Sequence, residues 1–178
     1  IAGFVRGIGA EYHAWGANPA ESHDRFHEAH DLIIEGWTRP GPFAFEDLDI
    51  GQEASYSRAV TDADIVIFAN VSGDKNPVHL DADYAATTPF KTRISHGMLT
   101  ASYISTVFGM QLPGPGAIYV SQTLNFRAPV RHGDEVTATV RVTELYPAKK
   151  RARFDCVCKV AGKVVLEGEA ILMVPSRA

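Results

Sequence analysis

Beyond Pro113-Gly114 the chain changes its period, and this limits the folds open to it. Ile118, Val120, Leu124, Phe126 and Ala128 alternate with Tyr119, Ser121, Thr123, Asn125 and Arg127, which is the period-two signature of strand with one apolar face. The alternation recurs. Val136, Ala138, Val140 and Val142 oppose Thr137, Thr139, Arg141 and Thr143, and Ala152, Phe154, Cys156, Cys158 and Val160 oppose Arg151, Arg153, Asp155 and Lys159. A last strand is predicted from Val164 to Val174, and Gly133-Asp134 and Ala161-Gly162-Lys163 supply turns. An earlier strand is predicted over Glu53 to Val60. Antiparallel strands apolar on one side need something to cover that side. The only segment long and apolar enough is Gly97 to about Leu112, where Met98, Leu99, Ala101, Ile104, Val107 and Phe108 dominate. The fold class expected is therefore α+β, an antiparallel sheet wrapped around a long central helix.

Before that helix, Thr61 is expected to cap a helix that starts at Asp62-Ala63-Asp64, carries the apolar run Ile65 to Val71 and ends at Ser72-Gly73. A short helical piece is expected over Asp81 to Thr88. At the other end of the chain, Trp37-Thr38-Arg39-Pro40-Gly41-Pro42 breaks any regular pattern, which divides an N-terminal helical extension, 1–42, from a main domain, 43–178. Asn18 to Trp37 reads as a helix with Phe26, Ala29, Ile33 and Trp37 on one stripe. Its His23, His27 and His30 read as a solvated face, since no third-ligand pattern accompanies them, and no metal is expected.

Composition narrows the function classes. A hydrophobic content of 46% and charged content of 21% over 178 residues fit one globular domain with an appended segment. The formal net charge of −4 argues against nucleic acid as a partner. The stretch from Ile94 to Phe126 lacks Asp, Glu, Lys and Arg, but its Ser, Thr, Gln, Gly and Pro residues make it a fold centre rather than a membrane span, so no membrane partner is expected. Cys156 and Cys158 face one side of a strand, poorly placed to bridge each other, as core thiols in a reducing compartment would be. No charged-then-apolar leader is read at Ile1, and a cytoplasmic location is the expectation.

The chemistry is signalled by Gly73-Asp74-Lys75-Asn76-Pro77-Val78-His79. Pro77 removes a backbone donor and pushes Asn76 out of the α region, and Gly73 permits conformations closed to other residues. Asp74 and His79 can then converge, offering an acid and a base together for proton transfer. Both are read as loop residues, so replacing them is expected to leave folding intact. Gly97, at the start of the central helix, presents free N–H groups and the positive end of a helix dipole to a developing oxyanion, and its missing side chain leaves room for close approach.

Phe68-Ala69-Asn70-Val71-Ser72-Gly73-Asp74-Lys75-Asn76-Pro77-Val78-His79-Leu80 with Ala85 closely resembles the signature of MaoC-like (R)-specific enoyl-CoA hydratases, which have the hot-dog fold. Ile94-Ser95-His96-Gly97-Met98-Leu99 and Leu112-Pro113-Gly114-Pro115-Gly116-Ala117-Ile118-Tyr119 resemble the same family. The likeness covers roughly Phe45 to Val174 and extends to the hydratase half of bifunctional enoyl-CoA hydratase/phosphate acyltransferases. It implies reversible hydration of trans-2-enoyl-CoA to the (R)-3-hydroxyacyl-CoA, a step that can supply polyhydroxyalkanoate precursors. It implies no cofactor beyond the coenzyme A of the acyl-CoA substrate, and a homodimer or dimer of dimers. Asp74, His79 and Gly97 are the expected catalytic residues, and the resemblance makes Ser105 the hydroxyl that contacts the acid. Asn76 is expected to orient the loop and Ser95 to shape the start of the helix, with Met98, Tyr103 and Phe108 lining an acyl tunnel. His96 is read as a default surface or core histidine rather than a second base, and Lys91 and Arg93 as charges that CoA phosphates could meet. A hot-dog thioesterase, a 3-hydroxyacyl-carrier-protein dehydratase and a non-catalytic acyl-CoA sensor are the competing readings. The Asp74/His79 pair favours the hydratase.

Overall fold

A computed structural model describes residues 43–177. The expected helix from Asn18 to Trp37, its histidines and the linker to Pro42 lie outside the described residues. Strand β1 (Glu53–Ala59) leads to helix α1 (Asp62–Ser72), the short helices α2 (Pro77–Leu80) and α3 (Ala82–Thr87), and the long helix α4 (Gly97–Met110). Strands β2 (Ile118–Gln122), β3 (Asn125–Phe126), β4 (Glu135–Tyr146), β5 (Arg151–Val160) and β6 (Lys163–Met173) follow. They form one antiparallel sheet in the order β1-β4-β5-β6-β2, with β3 pairing β6 beside β2.

The period-two pattern places the core where it was expected. Val136, Ala138, Val140 and Val142 of β4 and Ala152, Phe154, Cys156 and Cys158 of β5 are fully buried, and α4 covers them with Ile104, Val107 and Phe108. Burying each large side chain of this kind contributes about 1.5–3 kcal/mol relative to leaving it exposed. The outer face is polar: Ser55 and Ser57 of β1 share side-chain hydrogen bonds of 2.8 Å with Thr139 and Thr137 of β4. Both thiols point inward and are free, and burial pushes each up to about 12.

The 118–128 stretch departs from the expected single apolar face. Ile118, Tyr119, Val120 and Phe126 are all exposed, and the pairing with β6 slips between Tyr119 and Ser121. The cause is geometric. β2 is an edge strand and its bulge breaks the alternation, while Tyr119 still packs edge-on against Phe108 of α4. Gly168 of β6 explains the split between β2 and β3, because a Cβ there would sit 1.9 Å from the Thr123 carbonyl oxygen. The link between the two strands crosses directly over this glycine.

Candidate active site

The site begins with how α1 starts and stops. The Thr61 side chain accepts from the Asp64 N–H, while the Asp64 carboxylate accepts from the Thr61 N–H, a closed capping box. At the other end Gly73 takes φ +79°, the left-handed C-cap, and its N–H donates to the Ala69 carbonyl. The chain thereby turns sharply at Asp74, whose N–H donates to Ser72 Oγ at 3.2 Å. Asp74 Oδ1 accepts from the Asn76 N–H, and Asn76 Oδ1 accepts from the Val78 N–H, so Asn76 caps α2 with Pro77 in its first turn. His79 is thus carried by a one-turn helix, not by a loop. It is 8% exposed, which removes the expectation that it can be replaced without cost to the fold. Asp74 stays at the surface, its side chain 54% exposed.

Hydrogen bonds fix the state of His79. Its Nδ1 lies 2.8 Å from the Ile94 carbonyl oxygen, which only accepts, so Nδ1 carries the proton. In the neutral ring Nε2 is then a free lone pair, and it faces Asp74 Oδ2 at 4.0 Å. Burial pushes the imidazole below its ordinary value, opposed by the Ile94 bond and the Asp74 carboxylate. The base is therefore neutral at physiological pH.

His96 enters α4 as its N-cap in extended conformation, between Ser95 and the first helical residue, Gly97. The Ser95 N–H donates to the Val130 carbonyl at 2.7 Å, and Ser95 and Gly97 border a cavity of about 530 Å³. Phe90, Met98, Phe126 and Val130 give it an apolar wall. His96 turns the other way, onto His79, with ring centres 3.8 Å apart. The first residues of α4 thus stand between the acid/base pair and the cavity.

The remaining predicted residues fall elsewhere. Ser105 is exposed on α4 and makes no hydrogen bond to Asp74 among the described residues. Tyr103 is buried edge-on to Tyr56, and Phe108 edge-on to Phe154 and Tyr119; neither borders the cavity. Arg93 is paired with Asp62 at 2.6 Å, while Lys91 is exposed at φ +64°. Sequence reasoning missed Phe126 and set His96 aside. The ring of Phe126 occupies the space that glycine leaves at position 97, with Cε1 2.7 Å from where a Cβ would stand. An aromatic in a short, exposed strand gave no sign of this. His96 did have a signal, its place immediately before Gly97, but the stack on His79 joins residues 17 apart in sequence.

Asp74, His79 and His96 have ligand atoms within 4.8 Å of one another. The two imidazole planes lie 29° from parallel, so their in-plane lone pairs run side by side and do not converge on one ion. Proton transfer, not metal ligation, suits the trio.

A helix wrapped by an antiparallel sheet, with an Asp/His pair beside the helix start, defines a hot-dog hydro-lyase. Residues 46–168 match the MaoC like domain, and the chain belongs to that family. It is 60% identical over 133 residues to the (R)-specific enoyl-CoA hydratase of Rhodospirillum rubrum, covering 75% of this chain and 92% of that one. It is 53% identical to the 3-hydroxybutyryl-CoA dehydratase of Methylorubrum extorquens, covering 75% and 85%. Among solved structures, unliganded R-hydratase PhaJ1 from Pseudomonas aeruginosa superposes with a TM-score of 0.73 at 47% identity, over 76% of this chain and 88% of that one. Among the described residues no helix is long and apolar enough to cross a membrane.

Proposed function

We propose that this protein adds water to trans-2-enoyl-CoA to form (R)-3-hydroxyacyl-CoA, and catalyses the reverse dehydration. The observation that carries the reading is the tautomer of His79: with Nδ1–H committed to the Ile94 carbonyl, Nε2 is a base aimed at Asp74. Water held between Nε2 and the carboxylate gives its proton to His79 as its oxygen bonds to C3. The π electrons move toward the thioester, and the charge on its oxygen is met by the Gly97 N–H, which has no intrahelical partner at the first helical position. The pair then passes a proton to C2, so the proton removed from water is restored and the enzyme is regenerated. The high identity to a hydratase and a dehydratase of this chemistry supports both directions.

The apolar cavity beside Gly97 and Met98 takes an apolar stretch of the acyl-CoA, while Tyr103 and Phe108 support α4 from inside. No cofactor is required, because coenzyme A arrives with the substrate. A homodimer or dimer of dimers suits the edge strand β2, which leaves Ile118 at 54% exposure and, among the described residues, one side of its backbone unpaired by the sheet. A cytoplasmic location fits the free buried thiols, and supply of polyhydroxyalkanoate precursors fits an (R)-configured product.

The test is to mix the protein with crotonyl-CoA, follow loss of the enoyl absorbance, resolve the configuration of the product and read free thiol in parallel. The (R)-alcohol without thiol release is expected. Thiol release makes the protein a thioesterase, and inertness toward crotonyl-CoA with turnover of a crotonyl carrier protein makes it a carrier-protein dehydratase.

A further inference from the structure

We propose that His96 is a positioning residue, a neutral imidazole that ties down the Asp74 backbone with one edge and braces the His79 ring with its face. The inference rests on the hydratase reading for its effect on rate, though not for its geometry. His96 Nε2 lies 2.9 Å from the Asp74 carbonyl oxygen. A carbonyl only accepts, so Nε2 must carry hydrogen. His96 is 3% exposed, and its Nδ1 is buried with no hydrogen-bond partner among the described residues. A second proton would therefore place an unpaired N–H and a full charge against another imidazole inside the protein. One tautomer of the neutral ring satisfies all of this.

The packing explains why an imidazole stands here. Phe68 of α1 closes on one side of the ring at 5.0 Å, and His79 stacks at 3.8 Å. The titratable groups facing His96 are Asp74, from the turn after α1, and His79, from α2. Both halves of the acid/base pair thus make contact with one side chain, and that side chain is joined covalently to Gly97. Three elements that must keep register during the reaction meet at this ring. The Asp74 side chain is 54% exposed and its carboxylate accepts from the Asn76 N–H, and a fixed carbonyl at the same residue further limits where it can go.

Two substitutions separate the edge from the face. In His96→Gln the side-chain amide places a donor near Nε2, whereas His96→Phe keeps a flat ring and loses the donor. His96→Phe is expected to lower kcat about 30-fold with KM changed less than about threefold, and His96→Gln, which keeps the donor and loses only the stacked face, to lower it about fivefold. Equal loss in both variants, or an unchanged kcat in either, overturns the proposal. A second measurement needs neither turnover nor a stable variant. Nitrogen NMR of the histidine-labelled full chain is expected to show His96 as the Nε2–H tautomer. An Nδ1–H tautomer overturns it. If the parent protein fails to hydrate crotonyl-CoA while this spectrum is seen, the hydratase reading falls and the geometric assignment stands.

Discussion

The ring of Phe126 fills the space beside Gly97, with Cε1 2.7 Å and Cδ1 2.9 Å from where a Cβ on that glycine would stand. The glycine was expected to make room for a thioester, and it also makes room for its own wall. Because Phe126 is 54% exposed, it can swing aside. Gly97→Ala should therefore cost no more than about 1 kcal/mol in a thermal melt. Hydration should nonetheless fall about a hundredfold, since the Cβ obstructs approach to the N–H. A large loss of stability would show that Phe126 is held in place.

Asp74 and His79 should separate cleanly in their effect on folding. Asp74→Asn, at an exposed carboxylate, is expected to shift stability by less than about 0.5 kcal/mol. His79→Ala removes a buried ring and its bond to Ile94 and should cost about 1–2 kcal/mol. Each should slow hydration about a thousandfold, as measured by crotonyl-CoA turnover on protein shown to be folded.

The acid limb of kcat/KM should lie below pH 6.5. Burial makes His79 harder to protonate in the folded chain than in the unfolded one, where 6.5 is the ordinary value. Stability linked to His79 is then fully present above that pH, and it declines as pH falls because the unfolded chain takes the proton first. A limb above 6.5 in the pH profile would mean that another group controls the rate.

Gly168→Ala should destabilise the fold by about 3 kcal/mol or prevent soluble expression, because its Cβ would meet the backbone of Thr123 rather than a movable side chain. Denaturant melts would measure this. An unchanged midpoint would mean that the link between β2 and β3 lies further from β6.

Cys156 and Cys158 should resist a thiol reagent at pH about 8 in the native protein, since burial holds both thiols near 12. Unfolding should release both. Labelling of the native chain would show that β5 opens.

The sequence alone determined the alternation that makes β4 and β5, the apolar run that becomes α4, and the turn that carries Asp74 and His79. Each is local: a period of two, a helical spacing and a Gly-Asp-x-Asn-Pro string specify backbone within a few residues. The N-cap at Thr61 and the C-cap at Gly73 were legible for the same reason. Pairings across the chain were not. That Phe126 lies on Gly97, that His96 turns onto His79, that a bulge breaks the alternation of β2 and that Tyr103 and Phe108 pack away from the cavity depend on how helix and sheet meet. Residue types give no direction to such contacts, because an aromatic satisfies a core, a wall or a tunnel equally well by burying the same area. Only the tertiary structure chose among them, by bringing residues far apart in sequence into contact, as Phe126 with Gly97 and His96 with His79.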